Sequence, residues 1–331
     1  MRIIVPMAGW GSRLRPHTLT VPKPMLKIAG KSIVERLISN ISKTVDSGID
    51  SITFIIREDF GKDIELQLIE IAKKYNSTPH IAYQTEPLGT GHAILCAGDN
   101  LEGNIVVGFA DTMFDADFKI DTESDAVIWV KQIPNPEAFG VIKLDEKGVI
   151  TEFVEKPKDF ISDLAIIGIY YFKDGKNLRS ELQYLIDNDI KEKGEYQLTT
   201  AMENMRLKGQ IMKPGKVNTW LDCGNKDATI ESNTAVLQMG NDSINEAKLE
   251  NSVIIQPCHI EAEVILINSV IGPNVSIGRG SSISNSVISN SMIQENSQIK
   301  NKVISNSMIG SKASVIGKID DLSVGDFNQI Q

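Results

Sequence analysis

Only three cysteines, Cys96, Cys223 and Cys258, occur in 331 residues. None has a paired or C-x-x-C spacing, which argues against a disulfide framework or a zinc ribbon and for a reducing, cytoplasmic setting. Positive charge is also short: 34 Lys and Arg stand against 43 Asp and Glu, a net charge of −9. Nucleic acid and anionic membranes need a basic face that displaces counterions, so neither is an expected partner. Basic groups that serve an anionic substrate must then be gathered locally. Long apolar runs are missing as well. The opening MRIIVPMAGWG is cut by Pro6 and Gly9, with neither a signal-peptide core nor the roughly 20 apolar residues of a membrane span.

What is present is the composition of a globular protein, 41% apolar and 23% charged, at a length that predicts two domains. Up to about Gly215, strand-like runs alternate with helical patterns: RIIVPMA, ITFIIR, HIAYQ, IVVGFAD, AVIWVKQI and AIIGIYYF. That alternation reads as an α/β sheet with helices on its faces. The first helix is signposted by Ser32 and Glu35 at capping-box spacing, by Val34, Leu37, Ile38, Ile41 and Val45 on one face, and by Gly48 past its end. The segment GVIKLDEKGVITEFVEK, turning around Glu146 to Gly148, predicts a hairpin inserted in the sheet.

After a helical stretch near Ala228 to Met239 the texture changes. NSVI recurs at Asn251, Asn268 and Asn285, followed by NKVI at Asn301, a spacing of 17, 17 and 16 residues. NSMI recurs at Asn290 and Asn306. An inward Ile on each short strand, small or polar residues elsewhere and Gly or Asn at corners suit a β-solenoid with three faces per coil. A low-complexity tail would lack the phased Ile positions. This part resembles the hexapeptide-repeat left-handed β-helix family, and its handedness is implied by that resemblance.

Gly9-Trp10-Gly11-Ser12-Arg13 directly follows the first strand, where backbone N–H groups can form a concave nest for a triphosphate. The dinucleotide fingerprint fails because Leu14 holds its third glycine position, and Gly30-Lys31-Ser32 is no P-loop because Met25 replaces the first glycine. Arg13 offers a forked donor set, and Lys23, between Pro22 and Pro24, is a point charge on a stiffened segment.

The run GWGSRLRPHTLTVPKPML resembles the signature of the sugar nucleotidylyltransferases, or nucleotide-sugar pyrophosphorylases, and is similar to glucose-1-phosphate thymidylyltransferases. The likeness continues in order through QTEPLGTGHA, FADT, FGVI, FVEKP, GEYQLT and WLDCGN. It implies a Rossmann-like nucleotidyltransferase domain with a mixed sheet over residues 1–240, followed by the β-helix over 241–331. It implies nucleotide contacts from Ala8, Gly9, Gly11, Ser12, Arg13, Gln84, Gly89 and Thr90, and sugar-phosphate contacts from Gly140, Glu155, Lys156 and Gly168. Arg13, Lys23, Asp111 and Asp222 would be catalytic, with Asp111 and Asp222 sharing Mg²⁺. The implied partners are a nucleoside triphosphate, a sugar 1-phosphate and further copies of the chain.

Mg²⁺ typically takes one or two carboxylates plus substrate phosphates, as this pair would supply. The amide of Gln84 offers a donor and an acceptor side by side, matching N3–H and O4 of uracil or thymine, so dTTP or UTP is favoured. His92 reads as a helix-start residue, since a sugar phosphate that is largely a dianion at neutral pH needs no general base. Two departures from the family pattern are Ala110, where Gly often precedes the metal aspartate, and Ile167, where Asn or Thr often precedes Gly168. RLRPHTLTVPKP also resembles mannose-1-phosphate guanylyltransferases, which commonly carry acidic residues where Gln84 stands. A catalytically silent regulatory member would usually lack triphosphate or metal residues, all of which occur here. An acyltransferase in the repeat domain would usually need histidine, and only His259 lies there.

Overall fold

Residues 33 to 44 show how local signals become structure. Helix α1, Ile33–Thr44, starts where the Ser32 hydroxyl accepts the Glu35 N–H at 3.2 Å. Val34, Leu37, Ile38 and Ile41 lie on its buried face, as the spacing predicts. The capping box is only half formed, because the Glu35 carboxylate reaches Lys74 at 2.9 Å. Lys74 ends helix α2, Lys62–Lys74, and supplies a charged partner that the Ser32 backbone cannot match.

The chain is seen in a computed structural model that describes residues 1–115 and 118–318; positions 319–331 of the expected β-helix domain lie outside the described residues. Two compact units form, Met1–Leu26 with Ser32–Gly224, and Lys27–Lys31 with the chain from Asn225. In the first, a mixed sheet runs in the order 150–154, 141–144, 164–172, 105–108, 2–6, 51–56 and 78–83. The strand 126–132 also pairs with 164–172 and carries 212–216 at its side. The last four strands of the main path are parallel. The expected hairpin is the antiparallel pair 141–144 and 150–154, turned by Gly148.

Alternation along the first strand, Arg2–Pro6, splits the core into two layers. Ile3 and Val5 pack with Leu37, Ile38 and Leu68 of α1 and α2. Ile4 packs on the other face with α3 (Thr90–Leu95), α4 (Gly175–Asp187) and α5 (Leu198–Leu207), through Ile94, Leu178 and Met202. All of these side chains are buried, each contributing about 1.5–3 kcal/mol. The phosphate-loop candidate and Asp111 therefore sit at the carboxyl ends of neighbouring parallel strands, where ligands bind in open α/β sheets.

The second unit holds helix α6, Lys226–Val236, and a parallel β-helix with three sheets of short strands. Leu266, Ile283 and Ile299 stack in register and are buried, as are Ile271 and Ile288, the last residues of two NSVI tetrads. The valine one place earlier in each tetrad is less covered: Val270 is half-buried, while Val287 and Val303 are 44% and 81% exposed. Asn251, Asn268, Asn285 and Asn301 turn the corners at positive φ, a region asparagine tolerates, and bond side chain to side chain at 2.9–3.2 Å. The 16- and 17-residue spacing is thus one turn of the coil.

Candidate active site

After Pro6 the chain leaves the sheet and passes Gly9 and Gly11 into a short 3₁₀ turn, Ser12–Leu14, anchored by the buried Leu14. Gly11 has φ +74°, and a Cβ placed there would lie 2.5 Å from Cβ of Lys23. Only glycine lets the loop lie this close to the Lys23 stem. Its carbonyl accepts the Thr18 hydroxyl at 2.9 Å, which ties the loop's far side.

Ala8, Gly9, Gly11, Arg13 and Lys23 line a cleft of about 350 Å³, together with Gln84, Gly89, Thr90 and Asp111. Ser12 is exposed and lines neither this cleft nor the next. A second cleft of about 180 Å³ is lined by Gly140, Glu155, Lys156, Gly168 and Asp222. Asp111, Thr90 and Phe109 belong to both. Two reactants, one in each cleft, would meet at Asp111.

The two aspartates come together through sheet register. Strand Thr112–Asp115 pairs antiparallel with Thr219–Asp222, and Thr112 lies opposite Asp222. Asp111, the residue before Thr112, is therefore carried to the side of a carboxylate more than a hundred positions away. Lys23 Nζ lies 3.1 Å from Asp111 Oδ2, with the lysine side chain buried and the aspartate half exposed. Asp111 can thus serve the cleft while partly compensating the Lys23 charge. Arg13 is exposed and has no ion-pair partner among the described residues, so its guanidinium is available to an anion.

In the second cleft the Thr199 hydroxyl donates to Glu155 Oε2 at 3.1 Å, and Lys156 Nζ lies 3.6 Å from Glu155 Oε1. Lys156 has φ +43°, an uncommon conformation for a side chain with a Cβ, and Lys193 Nζ bonds the carbonyls of Glu155 and Lys156. A Cβ on Gly140 would press within 3.1 Å of Glu155 Oε2. Burial, then the charges of Glu155 and Asp111, hold the Tyr170 phenol protonated far above its usual range. The indole N–H of Trp220 is buried in the cleft wall without a partner among the described residues.

Thr90 was singled out by sequence, but its partners Gln197 and Leu198, and Thr199 beside them, were not. The Thr90 hydroxyl donates to Gln197 Oε1 at 2.9 Å and accepts the Leu198 N–H at 3.1 Å, so it joins two loops. Gln197, Leu198 and Thr199 lie in GEYQLT, a matching segment whose individual roles no spacing rule assigns. His92 sits in the first turn of α3, as read, and also lies 3.2 Å from Gln84 Nε2 through Nδ1.

Among the described residues no group of three or more His, Cys, Asp or Glu stands ready to enclose a metal ion. The donor set of Asp111 and Asp222, two carboxylates at the edge of anion-sized clefts, nevertheless fits a hard divalent cation whose remaining ligands are substrate oxygens and water. No helix among the described residues is long and apolar enough to cross a membrane.

The sequence profile described as Nucleotidyl transferase matches residues 3–239. The chain is 33% identical over 259 residues to the bifunctional protein GlmU of Methanocaldococcus jannaschii, covering 77% of this chain and 59% of that protein. It is 27% identical over 320 residues to the glucose-1-phosphate thymidylyltransferase of Streptomyces antibioticus, covering 88% and 87% of the two chains. The crystal structure of a nucleoside-diphosphate-sugar pyrophosphorylase from Vibrio cholerae RC9 shares the fold, with a TM-score of 0.60 at 21% identity over 69% of this chain and 98% of that one.

Proposed function

This chain belongs to the nucleotidyl transferase family, and from that premise we propose that it joins dTTP or UTP to a hexose 1-phosphate of the glucose 1-phosphate type, releasing pyrophosphate. The observation that carries the reading is the pair of clefts meeting at Asp111, one beside the glycine loop, Arg13 and Lys23, the other beside Glu155 and Lys156. Similarity to a glucose-1-phosphate thymidylyltransferase over most of both chains supports the substrate class.

The reaction is a single in-line displacement. An oxygen of the sugar phosphate forms a bond to the α-phosphorus of the triphosphate as the bond from that phosphorus to the bridging oxygen breaks, and pyrophosphate carries away the electron pair. The nucleophile is already an anion, so positioning and charge neutralisation do most of the work. Arg13 and Lys23 hold the triphosphate, and Lys156 offsets the charge of the incoming sugar phosphate. Asp111 and Asp222 would hold Mg²⁺, which when bound neutralises phosphate charge. Glu155, oriented by Thr199, bonds sugar hydroxyls, and Gln84 faces the base. The same reading makes the protein a cytoplasmic homo-oligomer, checked by light scattering.

The test is a matrix of nucleoside triphosphates against hexose 1-phosphates, reading pyrophosphate release with and without a chelator. Turnover confined to dTTP or UTP, stopped reversibly by chelation, supports the proposal. Equal turnover with GTP would overturn the pyrimidine assignment in favour of the guanylyltransferase reading.

A further inference from the structure

Resting on the reading that Gln84 faces the base, we infer that Gly89 and His92 fix which end of its amide does so, leaving Gln84 as a hydrogen-bond acceptor alone. Gln84 Nε2 lies 3.3 Å from the Gly89 carbonyl oxygen and 3.2 Å from His92 Nδ1. A carbonyl can only accept, so Gly89 requires the NH₂ end. Exchanging the two ends would set oxygen against oxygen.

The Gly89 carbonyl cannot swing aside to permit that exchange. Gly89 has φ +114°, and a Cβ there would lie 2.6 Å from the Tyr196 carbonyl oxygen. On either side, the Tyr196 N–H donates to Leu88 at 2.9 Å and the Gly91 N–H donates to Tyr196 at 2.8 Å. His92, three positions on, turns Nδ1 to the same amide nitrogen and so accepts from it, which places the ring proton on Nε2. Both N–H groups of Gln84 are then committed inside the protein. Its Oε1 is the end left for a base in the cleft that Gln84 lines.

An acceptor in that position selects a base that offers N–H. Uracil and thymine present N3–H, whereas cytosine presents a bare N3 that meets Oε1 lone pair to lone pair. A freely rotating glutamine would lose this discrimination by turning its NH₂ group to cytosine. His92 is absent from the cleft lining and acts through Gln84, as a positioning residue. The side-by-side donor and acceptor expected from sequence is thereby reduced to the acceptor.

Steady-state constants for UTP and CTP in the wild type and in Gln84→Ala, His92→Ala and His92→Asn, with 3-methyl-UTP and 4-thio-UTP as further substrates of the wild type, test this. His92→Ala should lower the UTP-to-CTP ratio of kcat/KM roughly three- to tenfold, the worth of one neutral hydrogen bond. The change should fall on KM, with kcat for UTP held within about twofold. His92→Asn, whose side-chain oxygen can replace Nδ1 as acceptor, should restore most of the ratio. In the wild type, 3-methyl-UTP should be a poor substrate and 4-thio-UTP should behave like UTP, because O4 receives nothing from Gln84. A collapsed ratio in Gln84→Ala with an unchanged ratio in His92→Ala overturns the part of the lock given to His92 and leaves the base contact standing. An unchanged ratio in Gln84→Ala overturns the base contact and the lock with it. Equal losses with 3-methyl-UTP and 4-thio-UTP overturn the acceptor-only assignment, whatever the variants do.

Discussion

Replacing Gly11 with alanine strikes the glycine loop at the point where it touches Lys23. The added Cβ would stand 2.5 Å from Lys23 Cβ, 3.1 Å from its Cδ and 3.2 Å from its Cγ, where carbon atoms ordinarily keep about 3.5–4.0 Å. Lys23 cannot easily retreat. It sits in a short helical turn between Pro22 and Pro24, its carbonyl accepts the Leu26 N–H at 3.1 Å, and its ammonium holds Asp111 at 3.1 Å. The left-handed φ of +74° costs an alanine about 1–2 kcal/mol, and overpacking adds about 1–3 kcal/mol. A total of roughly 3 kcal/mol corresponds to a fall of about 6–12 °C in the melting temperature of a unit this size. Gly9→Ala is the control, since a Cβ there meets nothing within 4 Å, and its stability should stay within about 0.5 kcal/mol of wild type. Differential scanning calorimetry reads the two transitions, and pyrophosphate release should show a raised KM for the triphosphate in Gly11→Ala. If both variants melt within about 1 °C of wild type and turn over alike, the close packing of loop and lysine is not what shapes the cleft.

Asp111→Asn and Asp222→Asn should each lower kcat by roughly 10² or more in the pyrophosphate assay; near-normal turnover by the double variant would end the proposed division of roles. Ile283→Ala, at a buried position in the β-helix stack, should destabilise by about 2–5 kcal/mol in denaturant titration, while Val303→Ala at an 81% exposed position should be nearly neutral. Similar losses at both would mean that the tetrad valines are covered in solution. The Ser124 hydroxyl, the Glu123 N–H and Lys213 draw the Asp121 pKa down to about 2. A depressed carboxylate pKa stabilises the fold above the unfolded value near 4 and loses that contribution as pH falls toward about 2. The melting-temperature gap between wild type and Asp121→Asn should therefore close between about pH 5 and pH 2, and a gap that widens on acidification would refute this.

Elements whose cause is local were legible in the sequence. The strand before Gly9, helix α1 with its apolar face, the hairpin at Gly148 and the turns of the β-helix all follow from periodicity or from a residue's own φ preference. Asn corners and buried Ile positions repeat because each coil repeats the same local problem. Resemblance extended this to the identities of Arg13, Lys23, Gln84, Asp111 and Asp222, but not to their mutual geometry. Sequence could not place Thr112 opposite Asp222, because strand register across a hundred residues is set by packing of the whole sheet. Nor could it send the Glu35 carboxylate to Lys74 instead of back to its own helix start, since the competing charge comes from another helix. Gly89 looked like one glycine in a loop until the approach of Tyr196 gave it a reason. His92 looked like a helix-start residue until folding laid Nδ1 against Gln84, a hydrogen bond that only the turn between them could bring about. Composition and pattern determine which groups are available; the long-range register of strands and loops decides which of them face one another, because no periodic signal encodes a single contact between distant side chains.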